Sequence, residues 1–220
     1  MKHVYAPGCA LTIYKPHLAE KMHEIMNNTL GEMERLDICC RNHPDISDGA
    51  QVINTCPGCD RRYKQNYAES TTISVWEVLA KSSFPFPNYH GQKMTILDAC
   101  PTRDQSRVHN AIRTLLQKMN IQIIEPEKTR TTGTCCGDSY YGSLSVGEVK
   151  EMMQKRASEM PVTDVVVYCV SCSQSMYIGG KKPHYLVDLL FGEETTPKAL
   201  DPDEWHRELD EYSNIHTSCD

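Results

Sequence analysis

The chain has 220 residues, of which 40% are hydrophobic and 24% are charged, and its formal net charge is −6. This composition is ordinary for a globular protein and excludes a disordered or collagen-like chain. Since the balance is acidic and no basic stripe stands out, we expect no nucleic-acid partner. The sequence contains no run of about 18 apolar residues, so we also expect no membrane-spanning helix.

Eleven cysteines are the most unusual part of the composition. Residues 1–8 lack the apolar stretch of a signal peptide, and we therefore expect a cytoplasmic protein whose thiols stay reduced. In that compartment a high cysteine content favours metal ligation or redox catalysis over disulfide staples.

The first half alternates predicted strands and helices. The predicted strands cover residues 3–5 and 51–55, and the predicted helices cover residues 17–28 and 74–79. Cys9 follows the first strand, the Cys39-Cys40 pair lies in the middle, and the clip Cys56-Pro-Gly-Cys59 follows the second strand. The proline-rich residues 82–88 are typical of a linker.

The second half repeats this order. The predicted strands cover residues 94–97, 121–124 and 165–168, and the predicted helices cover residues 101–120 and 147–160, with residues 184–190 in the place of the last helix of the first half. Its cysteines correspond one by one to those of the first half: Cys100, the pair Cys135-Cys136, and the clip Cys169-Val-Ser-Cys172. The chain is therefore an internal repeat.

Strands that alternate with helices predict an α/β fold of two pseudo-symmetric repeats, each with a small, largely parallel sheet flanked by helices and with metal sites in loops. We place the first repeat at residues 1–87, the second at 88–192 and a charged tail at 193–220. Residues 203–212 of the tail are expected to form a surface helix that docks on the body of the protein or on a partner. Cys219 has no counterpart in the repeat, so we interpret it as a bystander thiol.

The adjacent cysteines Cys135 and Cys136 indicate a turn, because neighbouring residues on a regular strand point to opposite faces. Gly133 and Gly137 flank the pair and can supply the backbone angles that such a turn needs. The complete second motif gathers five thiols, whereas a tetrahedral zinc or an ordinary cubane cluster is held by about four.

The Cys135-Cys136-Gly137 sequence and the doubled pattern resemble the CCG family of cysteine-rich domains. The tandem arrangement, together with the opening Ala6-Pro-Gly-Cys9, is similar to the B subunits of heterodisulfide reductases. The resemblance covers roughly residues 1–192. It implies a noncubane [4Fe-4S] cluster, built from two fused [2Fe-2S]-like units, with five cysteine ligands in the second motif: Cys100, Cys135, Cys136, Cys169 and Cys172.

Transferred by position, the same resemblance implies a second metal site with the ligands Cys9, Cys39, Cys40, Cys56 and Cys59. This motif departs from the family pattern, because Arg41-Asn-His43 follows the pair and the gap to Cys56 is about half as long. A second noncubane [4Fe-4S] cluster, a cubane and a zinc ion, which some relatives hold in one motif, all stay open for this site.

The resemblance implies an iron–sulfur oxidoreductase, or the catalytic subunit of one, that reduces a disulfide or a related sulfur substrate. The chain lacks dinucleotide and phosphate-binding fingerprints, so we expect an iron–sulfur or flavin subunit as electron donor. Two alternatives are an electron-transfer subunit without its own substrate pocket and a zinc-bound interaction module.

Other residues near the second motif have a functional and a plain structural interpretation. Arg103, Asp138 and Ser139, with the neighbouring Tyr140 and Tyr141, could orient a substrate or tune a cluster through contacts with its ligands. Equally, such residues cap helices or line loops. His43 and His184 are interpreted as structural histidines, and four methionines at helical spacing are expected in the core: Met22, Met26, Met152 and Met153.

Overall fold

A computed structural model describes residues 2–197 and 201–216 of the chain. These residues form two compact units: one contains the residues up to Ser82 together with those from His206 onward, and the other runs from Ser83 to Trp205. Within the described residues, no helix has both the length and the apolar character needed to span a bilayer. The repeat boundaries placed at residues 87 and 192 stay predictions.

The first unit contains a four-stranded parallel sheet. Its strands are β1 (His3–Ala6), β2 (Glu34–Arg35), β3 (Gln51–Asn54) and β4 (Thr71–Ser74), in the order β2-β1-β3-β4. Its helices are α1 (Cys9–Tyr14), α2 (Pro16–Leu30), α3 (Pro57–Asn66) and α4 (Val75–Lys81), and a 3₁₀ turn covers Cys40–Asn42.

The central strands of this sheet are buried on both faces, which explains their continuous apolar sequence. Val4 pairs with Val52 and Tyr5 pairs with Ile53 in the parallel register, and all four side chains are buried. Cys40 and Cys59 belong to the same apolar cluster as Val4 and Val52. The first cysteine group is therefore built into the core of the unit.

The second unit has the same sheet topology. Its strands are β5 (Lys93–Leu97), β6 (Gln122–Ile124), β7 (Asp164–Val167) and β8 (Lys182–Tyr185), in the order β6-β5-β7-β8. Its helices are α5 (Ser106–Lys118), α6 (Val146–Ser158), α7 (Val170–Ile178) and α8 (Leu186–Phe191). Three 3₁₀ turns cover Cys100–Thr102, Arg130–Thr132 and Asp138–Tyr140.

The prediction of an α/β fold with two similar halves is confirmed, because both sheets are parallel and place their strands in the same order along the chain. Six elements were not predicted: the helices α1, α3 and α7 and the strands β2, β4 and β8. The helix predicted over residues 101–120 begins only at Ser106, since a 3₁₀ turn precedes it. His184 and Tyr185 belong to β8, and only the residues from Leu186 onward are helical.

Helix α6 illustrates how local sequence fixes an element. Ser145 and Glu148 form a reciprocal capping box, in which the Glu148 N–H donates to Ser145 Oγ (3.4 Å) and the Ser145 N–H donates to Glu148 Oε2 (2.9 Å). This arrangement satisfies two N–H groups at the start of the helix. The helix predicted over residues 147–160 is confirmed with these bounds: Val146–Ser158.

The helix predicted in the tail is also present, as α9 (Pro202–Ile215). Its residues up to Trp205 belong to the second unit and its later residues to the first. In the second unit the indole N–H of Trp205 donates to Ser171 Oγ (2.9 Å), and Trp205 is buried. The helix is therefore anchored through Trp205, in agreement with the expectation that it docks on the body of the protein.

Candidate metal centre

Each cysteine group lies at the carboxyl end of its parallel sheet, the edge at which α/β folds usually bind ligands. In the first unit Cys9 begins α1 just after β1, and Cys56 is the N-cap of α3 just after β3. In the second unit Cys100 and Cys169 follow β5 and β7 in the same way. The parallel topology thus brings residues that are far apart in sequence to one edge.

The five thiols of the first unit form a line of neighbours. The sulfur atoms of Cys9 and Cys39 lie 3.9 Å apart. Close thiol–thiol contacts also join Cys39 to Cys40, Cys40 to Cys59, and Cys59 to Cys56. The order along this line is therefore Cys9, Cys39, Cys40, Cys59 and Cys56.

The second unit repeats that line with the corresponding residues. Close thiol–thiol contacts join Cys100 to Cys135, Cys135 to Cys136, Cys136 to Cys172, and Cys172 to Cys169. All ten of these cysteines are free thiols. The structure therefore brings each predicted ligand set together, and Cys219 lies outside the described residues.

Hydrogen bonding distributes charge in the same way in both lines. Contacts with the neighbouring thiols lower the pKa of Cys39 to about 2, through Cys40 and Cys9, and lower the pKa of Cys135 well below its usual range, through Cys100 and Cys136. Cys9 and Cys100 have raised pKa values, because of their contacts with Cys39 and Cys135 and because they are partly buried. Cys39 and Cys135 are thus the preferred thiolates.

The clip cysteines occupy the first turn of a helix in both units. The largest influence on Cys56 is the hydrogen bond from Cys59, and the backbone N–H groups of Gly58 and Cys59 add to it, so the pKa of Cys56 is lowered to about 7. Gly8 allows the Cys9 loop to approach this clip. A Cβ at Gly8 would lie 2.9 Å from Cys56 Cβ and 3.3 Å from Cys59 Sγ.

The glycine after the second pair is required by helix packing. Gly137 has a φ of +111°, and a Cβ at this position would lie 2.6 Å from Met153 Cγ and 2.8 Å from the Met153 backbone nitrogen of α6. Its N–H also donates to Cys135 Sγ (3.3 Å). Any side chain here would push α6 away from the cysteine loop.

The first pair is followed by Arg41, and its loop packs against a different helix. Arg41 forms an ion pair with Asp210 of α9 (2.6 Å), and the Asn42 amide donates to the carbonyl oxygens of Ser213 (2.5 Å) and His216 (3.0 Å). The described residues 41–50, between the pair and β3, contain no α-helix. The C-terminal part of α9 therefore covers the first pair instead.

A serine hydroxyl meets the first cysteine of each pair, and the two serines come from unrelated places. Ser139 Oγ lies 2.9 Å from Cys135 Sγ, in the 3₁₀ turn just after the pair. Ser213 of α9 lies beside the Cys39 thiol and lowers the pKa of that thiol, and the Ser213 hydroxyl, which is buried, donates to Asn42 Oδ1 (3.4 Å). Ser139 was among the residues predicted near the second site, whereas Ser213 was missed because it lies about 170 residues from its partner thiol.

Arg103 and Asp138 take up positions beside the second pair. The Arg103 Nε–H donates to the carbonyl oxygen of Gly133 (3.2 Å), so Arg103 holds the loop that carries the pair. Asp138 begins the 3₁₀ turn after Gly137 and is half-buried. Whether these residues act on a substrate stays a prediction.

A buried ion pair holds the residues that precede the Cys135-Cys136 loop. Arg113 donates from both terminal nitrogens to the Asp98 carboxylate (2.7 and 2.8 Å), and Asp98 also accepts from Thr129 Oγ1 and the Arg130 N–H (2.8 Å each). Burial alone would raise the Asp98 pKa, but these contacts, with the Arg113 guanidinium as the strongest, outweigh it and hold the pKa at about 2. Asp98 stands two residues before Cys100 and thus joins β5 to the loop before the second pair.

The two histidines that were interpreted as structural lie outside both lines of thiols. His184 Nε2 contacts Asp164 Oδ1 (2.7 Å), and His43 ends the 3₁₀ turn after the first pair in a left-handed conformation. Met22, Met26 and Met153 are buried as predicted, whereas Met152 is half-buried.

The thiols are neighbours in a line and do not converge on one point. Among the described residues, no three side chains of His, Cys, Asp or Glu are arranged to hold a single metal ion. This is compatible with the pairwise contacts, because a line of five thiols spans more space than one tetrahedral ion requires. A cavity of about 150 Å³ opens beside Cys135, and a larger one of about 480 Å³ lies along β8 with no cysteine in its lining.

Comparison with known proteins agrees with the second motif. Residues 94–177 match the model of the CCG family, a cysteine-rich domain. No curated protein matches the sequence significantly. Among solved structures, the chain is similar to the aspartate racemase of Picrophilus torridus with a TM-score of 0.30 and 12% identity, over 96% of this chain and 94% of that chain. That similarity is too weak to indicate a shared activity.

Proposed function

We propose, from the premise that this chain contains a CCG cysteine-rich domain, that it is an iron–sulfur oxidoreductase of the heterodisulfide reductase B type, or the catalytic subunit of one. A domain of this family indicates an iron–sulfur or other metal-binding protein. The proposal goes further and assigns the reduction of a disulfide or a related sulfur substrate. The observation that carries it is the line of five free thiols at the carboxyl edge of the second sheet.

The donor set fits a polynuclear cluster better than a single ion. Five thiolates exceed the four ligands of a structural zinc. Soft thiolates select iron–sulfur clusters, zinc or copper(I). We therefore assign a noncubane [4Fe-4S] cluster to Cys100, Cys135, Cys136, Cys169 and Cys172.

For the first site we propose a second [4Fe-4S] cluster with Cys9, Cys39, Cys40, Cys56 and Cys59 as ligands. The identical order of contacts along both lines of thiols supports this choice over zinc. The burial of Cys39, Cys40 and Cys59 also supports it, because a closed apolar shell limits solvent access to a cluster.

When bound, such a cluster supplies electrons one at a time, and a disulfide takes up two electrons and two protons to give two thiols. The chain's own residues prepare the second site for this work. Ser139 Oγ and the Gly137 N–H hold Cys135 by hydrogen bonds, while Arg103 and the Asp98–Arg113 pair hold the part of the loop that precedes the pair. The electrons are proposed to come from an iron–sulfur or flavin subunit.

The first experiment measures iron, acid-labile sulfide and zinc per chain in protein purified without oxygen. About eight irons with matching sulfide are expected from two four-iron clusters. The same material, reduced by methyl viologen, is then given a small disulfide and the released thiols are counted.

The outcomes separate the alternatives. Clusters without thiol release would leave an electron-transfer subunit as the function. About four irons would confine cluster chemistry to one site. Zinc without sulfide in anaerobic protein would contradict the redox proposal altogether.

A further inference from the structure

The end of α9 is held at the first cysteine site through its own backbone. The Asn42 amide donates to the carbonyl oxygens of Ser213 (2.5 Å) and His216 (3.0 Å), and Asn42 Oδ1 accepts from the Ser213 hydroxyl (3.4 Å). The last carbonyl oxygens of a helix have no partner within the helix and need donors from elsewhere. Asn42 supplies such donors from a position two residues after Cys40, so α9 ends against the loop of the first pair.

Two further side chains of α9 contact the same loop. Asp210 forms an ion pair with Arg41 (2.6 Å), and the Tyr212 hydroxyl donates to the carbonyl oxygen of Asp37 (3.3 Å). The ion pair is largely exposed, so it adds little stability of its own and mainly orients the helix. Because Asp37 precedes the pair and Arg41 follows it, α9 is attached to the loop on both sides of the two cysteines.

The two pairs differ in exposure at their first cysteine. Cys39 is 2% exposed and Ser213, which lies beside its thiol, is 7% exposed. In the second unit Cys135 is half-buried, and Ser139, which lies beside its thiol, is exposed. A molecule that approaches the Cys39 thiol from the side of α9 would have to displace Ser213, whereas one that approaches Cys135 meets an exposed turn.

The other side of the first site is closed by the core of its own unit. Cys40 and Cys59 are buried in the same apolar cluster as Val52. The Cys9 loop packs closely at Gly8, where even a Cβ would lie 2.9 Å from Cys56 Cβ. These contacts belong to the folded sheet and its loops, so the helix α9 is the element whose displacement would uncover the pair.

We infer that α9 closes the first site to external ligands, so that a sulfur substrate contacts the metal of the second site and not that of the first. The first site then takes part in electron transfer alone. The Asn42, Asp210 and Tyr212 contacts are the bonds that keep it closed.

The inference rests on the proposed function, since it specifies where that function's substrate binds. Reduction of a disulfide takes up two electrons and two protons and gives two thiols. The iron–sulfur or flavin subunit supplies both electrons, and the closed site stores one of them while the sulfur atoms contact the open site.

The test measures how fast a small chelator, 4-(2-pyridylazo)resorcinol, removes metal from each site of anaerobically purified protein. Cys136→Ala protein is expected to keep metal at the first site only, and Cys40→Ala protein at the second site only. Because a closed site releases metal only when the covering segment opens, we expect release from the first site to be at least tenfold slower. The chelator takes up iron and zinc alike, so the comparison does not depend on which metal is bound.

A double substitution in α9, Asp210→Asn with Tyr212→Phe, removes two of the contacts and leaves the cysteine loop unchanged. In the Cys136→Ala background it should accelerate metal release about three- to tenfold, because weaker contacts raise the population of the opened helix. Glu211→Gln is the matched control. It removes a charge from the next residue of α9, whose ion-pair partner Arg207 belongs to the same helix (3.9 Å), and it should leave the rate unchanged.

Asn42→Ala removes three hydrogen bonds to α9 and should accelerate release from the first site about tenfold or more. Release from the second site, measured in the Cys40→Ala background, should be unaffected by the double substitution in α9. This measurement distinguishes opening of α9 from general unfolding.

The outcomes separate the inference from the proposed function. Slow release that depends on the α9 contacts, in protein that reduces no disulfide, would support the closure and contradict the function. Equal release from the two sites in protein that reduces disulfides would support the function and overturn the inference. The inference is also overturned if the α9 and Asn42 substitutions leave release from the first site unchanged, or if they accelerate it no more than Glu211→Gln does.

Discussion

In the second unit the Cys135-Cys136 loop is followed by Gly137 and packs against α6, whereas in the first unit the Cys39-Cys40 loop is followed by Arg41 and packs against the C-terminal part of α9. Both loops nevertheless present the same line of five thiols. The contacts between cysteines are thus set by the parallel sheet and its loops, while the residue after the pair is set by the helix that covers it. Glycine is needed where a helix backbone approaches closely, and arginine is accepted where the covering helix offers a carboxylate.

Removal of a central thiol should have the largest effect and should separate the two sites. Cys136 contacts both Cys135 and Cys172, and Cys40 contacts both Cys39 and Cys59, so each is the middle of its line. Cys136→Ala should remove the metal of the second site only, about four irons per chain if the proposed cluster is there. Cys40→Ala should do the same at the first site, as measured by iron, sulfide and zinc content.

Cys219→Ser serves as the control for these variants, because it lies outside both motifs and should leave the metal content unchanged. If either central substitution emptied both sites equally, the two lines of thiols would not be independent centres.

A single added methyl group at Gly137 should disrupt the packing of α6 on the Cys135-Cys136 loop. Gly137→Ala places a Cβ against the backbone of Met153 and also strains a φ of +111°, so we expect a loss of about 3 kcal/mol or more in the free energy of unfolding. Gly142→Ala is the matched control. Its φ is +80°, but a Cβ there meets nothing within 4 Å, and a cost of about 1 kcal/mol is expected. Equal losses in urea unfolding would show that backbone strain, and not contact with α6, requires the glycine.

The buried Asp98–Arg113 pair distinguishes the second unit from the first, where Pro7 stands two residues before the first cysteine. Asp98→Asn leaves the Arg113 charge poorly compensated in a buried place and should cost about 3–5 kcal/mol. Glu125→Gln removes a more exposed partner of the same arginine, 40% exposed, and should cost about 1 kcal/mol or less. Chemical unfolding of both variants measures the difference, and a larger loss from Glu125→Gln would contradict the assignment.

The smallest expected effects concern the two serines. Ser139→Ala and Ser213→Ala each remove a hydroxyl from the preferred thiolate of one site. Hydrogen bonds to ligand sulfurs favour the reduced, more negative state, so each substitution should lower the reduction potential of its own site by tens of millivolts. Redox titration followed by paramagnetic resonance tests this. A shift at the other site, or none at either, would mean that the hydroxyls do not tune the thiols.

Much of this comparison could be predicted from the sequence. The duplication could be predicted because the cysteines recur in the same order in both halves: a single cysteine (Cys9 or Cys100), an adjacent pair and a clip. This order is visible in the sequence itself and does not depend on contacts between distant residues. The longer strands and helices could be predicted from the spacing of apolar residues, and the two parallel sheets confirm the predicted α/β fold. The strands β2, β4 and β8 were missed because two to four residues leave too little pattern for a period to appear.

The sequence by itself determined which thiols belong to which site and that Gly137 and Arg41 make the two sites unlike. Only the tertiary structure decided what covers each pair: Met153 of α6 against Gly137, and Asp210 and Ser213 of α9 against Arg41 and Cys39. The physical reason is that the end of a strand and the spacing of cysteines depend only on neighbouring residues, so both can be recognised in the sequence. The packing partner of a loop is chosen by shape and charge among segments that can lie about 170 residues away, and no local pattern records that choice.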